Sequence, residues 1–103
     1  MKLVHQVKWT KRAQLRFREQ HDYITQENCR EVALAWGRHI LDATEPLGKF
    51  PFSGRVVPEI GRLDIREVIV EQHYRVIYKV RKTICDILSI RHTAFLIKSM
   101  RSL

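Results

Sequence analysis

Three arginines, Arg66, Arg75 and Arg91, recur in the β-rich second half of the chain, and Arg55 and the Pro58-Glu59 pair precede them. A guanidinium stays charged and holds two oxygens of one phosphate through its planar fork, so arginines in this setting suit an anionic, phosphate-bearing partner. The balance of the whole chain agrees. Nineteen Lys and Arg stand against eleven Asp and Glu, a formal charge of +8, which favours nucleic acid, ribosome or an acidic protein as partner and says nothing about fold.

Other chemistries find little support. His5, His21, His39 and His73 lie far apart and match no ligand spacing, and Cys29 and Cys85 add none, so neither a metal site nor a cofactor is expected. The two cysteines are expected as reduced thiols in a cytoplasmic protein. Met1 to Gln6 interrupts its apolar residues too soon for a secretory segment, and no stretch approaches the ~18 apolar residues that span a membrane.

The elements that must position the arginines follow from periodicity. A hydrophobic fraction of 45% in 103 residues supports one modest core and a single domain over residues 1–103. Leu3 to Lys8 reads as a short strand. Thr10 is a helix N-cap, and Ala13, Phe17, Gln20 and Ile24 share a narrow arc of a helix over Lys11 to Gln26, with Arg12, Arg16 and Arg18 off the stripe in solvent. Leu15, opposite that stripe, reads as exposed. Asn28 with Glu31 has capping-box spacing, and Cys29, Val32, Trp36, Ile40 and Ala43 share a face of a second helix that should stop near Thr44, before Glu45-Pro46. The short break between the helices implies an antiparallel hairpin.

Pro46 to Pro58 holds all three prolines and two of the four glycines and reads as a loop anchored by Phe50 and Phe52. Three β-rich runs follow, Ile65 to Val70, Tyr74 to Val80 and Ile84 to Arg91, joined tightly enough for an antiparallel meander. Tyr74, Val76, Tyr78 and Val80 should face the helices, and Arg75, Ile77 and Lys79 the other side. Phe95 to Leu103 is expected as a short basic tail helix. The fold class is α+β, in the order β-α-α-β-β-β, with a small, mostly antiparallel sheet on a helical hairpin and a C-terminal extension.

Pro51-Phe52-Ser53-Gly54-Arg55-Val56-Val57-Pro58-Glu59, then Ile65-Arg66-Glu67, Tyr74-Arg75-Val76-Ile77-Tyr78 and Ser89-Ile90-Arg91-His92 resemble, in order and spacing, the RelE/ParE toxin superfamily. Trp9-Thr10, Ala13 and Tyr23-Ile24 also look like its first-helix pattern, so the resemblance covers nearly the whole chain. It implies the toxin of a type II toxin–antitoxin pair, neutralised by a cognate antitoxin. Superfamily members either cleave mRNA on the ribosome or poison DNA gyrase without nuclease chemistry.

The resemblance further implies site residues. Metal-free RNA cleavage needs a base for the 2′-hydroxyl proton, cations for the crowded phosphate and an acid for the leaving oxygen. Glu59, Arg75 and His92 match the base, phosphate clamp and acid of the YoeB-like ribonuclease branch, with Arg66, Arg91 and Arg55 as further phosphate-binding candidates. Thr93 departs from that branch, which carries tyrosine there.

Plainer readings stand beside these. Glu59 suits a solvated surface carboxylate or one paired with Arg62, and Arg75 a solvent-exposed strand residue or a partner of Glu67. Strict alternation puts His92 with Leu88 and Ile90, away from Arg91, unless a bulge turns it. An arginine in the tyrosine-flanked strand tips the sequence reading toward ribosome-dependent mRNA cleavage, with gyrase inhibition as the alternative.

Overall fold

The computed structural model describes residues 4–103. Five strands and two helices follow the chain as β1 (Gln6–Trp9), α1 (Lys11–Glu27), α2 (Arg30–Thr44), β2 (Arg55–Val56), β3 (Ile65–Val70), β4 (Tyr74–Val80) and β5 (Ile84–His92). The sheet order is β1-β5-β4-β3-β2, with only the β1–β5 pair parallel. The expected α+β meander on a helical hairpin is what forms, with the two-residue β2 added inside the expected loop. The first strand runs Gln6–Trp9; the expectation of a strand from Leu3 begins outside the described residues.

Thr10 caps α1 by accepting a hydrogen bond from the Ala13 amide, and its hydroxyl also donates to the Ile87 carbonyl, so one residue starts the helix and ties it to β5. Ala13 and Ile24 are buried on the expected stripe, with Phe17 and Gln20 partly so. The second helix differs from expectation. Asn28 closes α1, and Cys29, exposed and without a side-chain cap, precedes α2. The buried stripe is Ala33, Trp36, Gly37, Ile40 and Thr44, leaving Val32 exposed. Gly37 lets Phe17 approach, since a Cβ there would lie 3.1 Å from the Phe17 ring. Trp36 also meets the Phe17 ring, at 5.1 Å between centroids, so this pair of residues on α2 seats it against α1.

The connecting loop is anchored by Leu47 and Val57, both fully buried, while Phe50 and Phe52 are exposed. Gly54 is required by a close approach: its amide donates to the Tyr78 hydroxyl at 3.0 Å, and a Cβ would sit 2.6 Å from both that oxygen and the Glu67 carbonyl. The β3–β4 turn places Glu71 and Gln72 at positive φ, the pairing that suits a tight two-residue hairpin.

Tyr74, Val76, Tyr78 and Val80 do face the helices, in a core with Trp36, Ile40, Cys85 and Ile87. The second face was expected to be the less apolar one, yet Ile77 and Arg75 are buried there. Val57, Ile65, Ile77, Ile97 and Leu103 form a second cluster because the C-terminal segment folds back across the sheet. That segment is largely irregular, with one short 3-10 turn at Met100–Ser102 in place of the expected tail helix.

Because Ile97 is 1% exposed within this second cluster, Ile97→Ala is expected to lower unfolding stability by about 2–5 kcal/mol, read as the shift of a urea midpoint. An unchanged midpoint would contradict a tail packed on the sheet.

Candidate functional site

Directly opposed residues in an antiparallel pair project from the same face. Arg55 opposes Glu67 across β2–β3, Glu67 opposes Ile77 across β3–β4, and Arg75 is two residues before Ile77 on β4. Register therefore brings Arg55, Glu67 and Arg75 together on the face away from the helices, and Glu59 reaches them from the loop after β2. The Arg75 Nε donates to Glu67 Oε1 at 2.6 Å, and its two terminal nitrogens donate to the two carboxylate oxygens of Glu59 at 2.6 and 2.7 Å. Arg55 Nε donates to the other Glu67 oxygen at 2.6 Å. The result is a chain of alternating charge, Arg55–Glu67–Arg75–Glu59.

Little water reaches its middle, whereas Arg55 is exposed and Glu59 partly so. The side chains of Arg75 and Glu67 are 6% and 0% exposed. A lone buried carboxyl or guanidinium would be costly, so each is tolerable because the others satisfy it. The Glu59 carboxylate also accepts the Ile97 amide at 3.0 Å, which ties the network to the tail. Chiefly through the Arg75 hydrogen bonds, against an opposing effect of burial, the Glu59 pKa falls from 4.5 to about 2. Arg75 is raised in turn, Glu59 being the main cause. A carboxylate held so low takes up a proton poorly near neutral pH.

The remaining candidates lie elsewhere. Arg66 opposes Tyr78 and so faces the other side of the sheet, where it donates to the carbonyls of Leu63 and Gly54 and sits 4.8 Å over the Phe52 ring. His92 opposes Tyr74, also on the helix side; its ring lies 5.6 Å from that of Tyr74 and its Nδ1 accepts the Ala94 amide at 3.0 Å. The anticipated bulge exists, but it falls at Leu88, which joins Ser89 on the second face, and it leaves His92 on the face opposite Arg75. Arg91 does share the face of Arg75, opposite it in register, and donates to the Ser102 carbonyl at 3.0 Å. Glu59 does not pair with Arg62, which binds Asp64 instead.

Glu59, Arg75 and Arg55 thus come together with Thr93 and Leu96 around a cleft of about 440 Å³, while His92 and Arg66 do not join them. Glu67 was legible as a partner of Arg75 from parity and charge. The Ile97 amide was not, since nothing in the sequence fixes the path of the tail. Among the described residues no group of three His, Cys, Asp or Glu gathers as a metal site, and no helix is long and apolar enough to cross a membrane.

Two consequences can be measured. Glu59 is depressed in the folded state, so its contribution is present above its unfolded pKa near 4.5 and is lost as pH falls toward 2. The difference in stability between the chain and Glu59→Gln should be on the order of 2–3 kcal/mol at neutral pH and vanish across that window in acid denaturant titrations. A pH-independent difference would contradict the pairing. Arg75→Ala, which strands two carboxyls, should cost about 3–5 kcal/mol in urea unfolding, whereas a loss below about 1 kcal/mol would mean the network holds nothing.

Comparison with known proteins places this geometry. Residues 7–96 match the family described as ParE toxin of type II toxin-antitoxin system, parDE. Among solved structures, the chain is similar to one from the chromosomal ParDE toxin–antitoxin system of P. aeruginosa, with 21% identity, a TM-score of 0.74, and coverage of 86% of this chain and 96% of that one. It is also similar to a chain of the toxin–antitoxin complex RelBE2 from Mycobacterium tuberculosis, with 17% identity, a TM-score of 0.59, and coverage of 92% and 98%. At these identities the likeness speaks for the fold alone. Among curated proteins none matches in sequence. With the family match running over nearly all of a fold whose strand motifs resemble the same superfamily, the chain belongs to the ParE toxins of type II toxin–antitoxin systems.

Proposed function

We propose that the protein inhibits growth by binding, without nuclease chemistry, and that its target is DNA gyrase, with a cognate antitoxin as its neutralising partner. One observation carries this reading: the Arg75 guanidinium is committed to Glu59 and Glu67, on a side chain that is 6% exposed. A phosphate clamp needs free donors, and a general base needs a pKa nearer the working pH. Here the clamp and the base of the ribonuclease reading neutralise each other, and the acid, His92, lies on the opposite face. The match to the parDE family supports the same direction.

The ribonuclease reading keeps one favourable observation, since Arg55, Glu59, Arg75 and Thr93 do line one open cleft. For cleavage there, Arg75 would have to exchange Glu59 for a substrate phosphate, and Glu59 would have to release the Ile97 amide.

Purified protein is expected to block supercoiling by gyrase or to accumulate its cleavage complex, and to produce no new mRNA 5′ ends with translating ribosomes. His92→Ala, at an exposed residue, should remain as toxic as the parent chain on induced expression. New 5′ ends that disappear in His92→Ala, with gyrase unaffected, would overturn the proposal in favour of mRNA cleavage.

A further inference from the structure

The parallel pairing of β1 with β5 stops at Trp9 and Ile87, so β5 continues to His92 with no strand on that side among the described residues. Helix α1 runs beside this stretch, and a cleft of about 420 Å³ opens between them. Four rings and two guanidiniums line it: Tyr23, Tyr74, His92, Phe95, Arg16 and Arg91. It is separate from the Glu59–Arg75 network and shares no lining residue with that cleft.

The rings are held as a connected wall. Tyr74 meets Trp36 edge-on at 5.4 Å and has its hydroxyl fixed by Gln20 at 3.1 Å. His92 stands edge-on to Tyr74 at 5.6 Å and to Phe95 at 6.2 Å. Tyr23 and Phe95 are 58% and 61% exposed, so two flat faces at the rim are open to a ligand.

The cations are equally unspent. Among the described residues neither Arg16 nor Arg91 makes an ion pair, nor does Arg12 one turn before Arg16. Arg12 and Arg91 donate only to the carbonyls of Arg101 and Ser102, at 3.3 and 3.0 Å. The three lie near enough that Arg16 and Arg12, after burial, push the Arg91 pKa down. Glu19 at the cleft is the one opposing charge among the lining residues and pairs with none of them within salt-bridge reach.

Converging guanidiniums without counter-ions invite an anion, and exposed rings beside them invite a flat, polarizable surface. An acidic peptide would use the first and leave the rings idle, whereas an apolar one would strand the charges. A nucleotide supplies both, with its base on the rings and its phosphate on the arginines. From this juxtaposition we propose that the cleft between α1 and the free edge of β5 binds single-stranded nucleic acid, seating one base against Tyr23 and Phe95 and an adjacent phosphate on Arg16 and Arg91. This goes beyond the reading of the toxin's target and does not depend on it.

The test is fluorescence anisotropy of a short, fluorescein-labelled single-stranded oligonucleotide with the full chain, as DNA and as RNA of the same sequence. Saturable binding of either is expected, weakening with added salt. Phe95→Ala should weaken it about tenfold or more, and Arg16→Glu at least as much, while Arg38→Glu, an equal charge change on α2, should have a markedly smaller effect. All three variants alter exposed or half-buried side chains, and matched thermal melts confirm that each is folded. Equal losses in Arg16→Glu and Arg38→Glu would reduce the binding to general charge attraction and overturn the site. So would an unchanged affinity in Phe95→Ala, or displacement by polyglutamate as effective as by unlabelled oligonucleotide. AMP binding as tightly as the strand would overturn the claim that the ligand is a strand.

Discussion

Much of this molecule hangs on one buried guanidinium. Arg75 sits near the start of β4, the central strand, and can be buried there only because Glu67 and Glu59 answer all three of its nitrogens. Taking such a group out of water is costly, and the pairing repays that cost only when the geometry is close to ideal. That demand propagates outward. Glu67 must face the same side of β3, Arg55 must satisfy the second Glu67 oxygen, and the loop after β2 must deliver Glu59. The tail then closes the arrangement, with the Ile97 amide on Glu59 and its side chain in the second core. A network of this kind is weak evidence for net stability but sets a strict requirement on register, because slipping β3 by one residue would move Glu67 to the other face and leave Arg75 unpaired.

The same constraint bears on function. A sheet face rich in arginine suggests a phosphate site when only the sequence is read, yet the arginine most central to that face is spent inside the protein. The uncompensated cations lie at its margin, on α1 and at the end of β5, beside aromatic rings. Binding surfaces and fold-holding charge are thus partitioned: the sheet interior keeps its ions paired, and the rim keeps them free. That partition is what the proposal of a toxin that acts by docking requires of its surface.

The three strands of the meander were legible almost to the residue, because Ile65–Val70 and Tyr74–Val80 combine alternation with tight turns, whereas the first strand was placed too early and β2 was read as loop. The start of α2 was misread because Asn28-x-x-Glu31 imitates a cap, while the face of α2 that turns inward is set by Gly37 and Trp36 meeting Phe17 of α1, a tertiary effect. The second core was invisible for a similar reason. Nothing local in Ile97 or Leu103 says that they return across the sheet to cover Ile77. Without that cover, Arg75 reads as a surface residue open to phosphate. The family resemblance named Glu59 and Arg75 together, and the two do touch, but spacing does not reveal that they neutralise each other. His92 was limited by parity, and the bulge that was to turn it lies upstream at Leu88.

The central claim is that Arg75 is a closed, internally satisfied ion and not a phosphate clamp. The most direct measurement follows the guanidinium Nε–H resonances by NMR while the folded chain is titrated with an RNA oligonucleotide carrying a 2′-O-methyl block at the cleavage position. A slowly exchanging Arg75 resonance is expected to stay in place, with responses confined to Arg16 and Arg91. A saturable shift of the Arg75 resonance on RNA addition would contradict it.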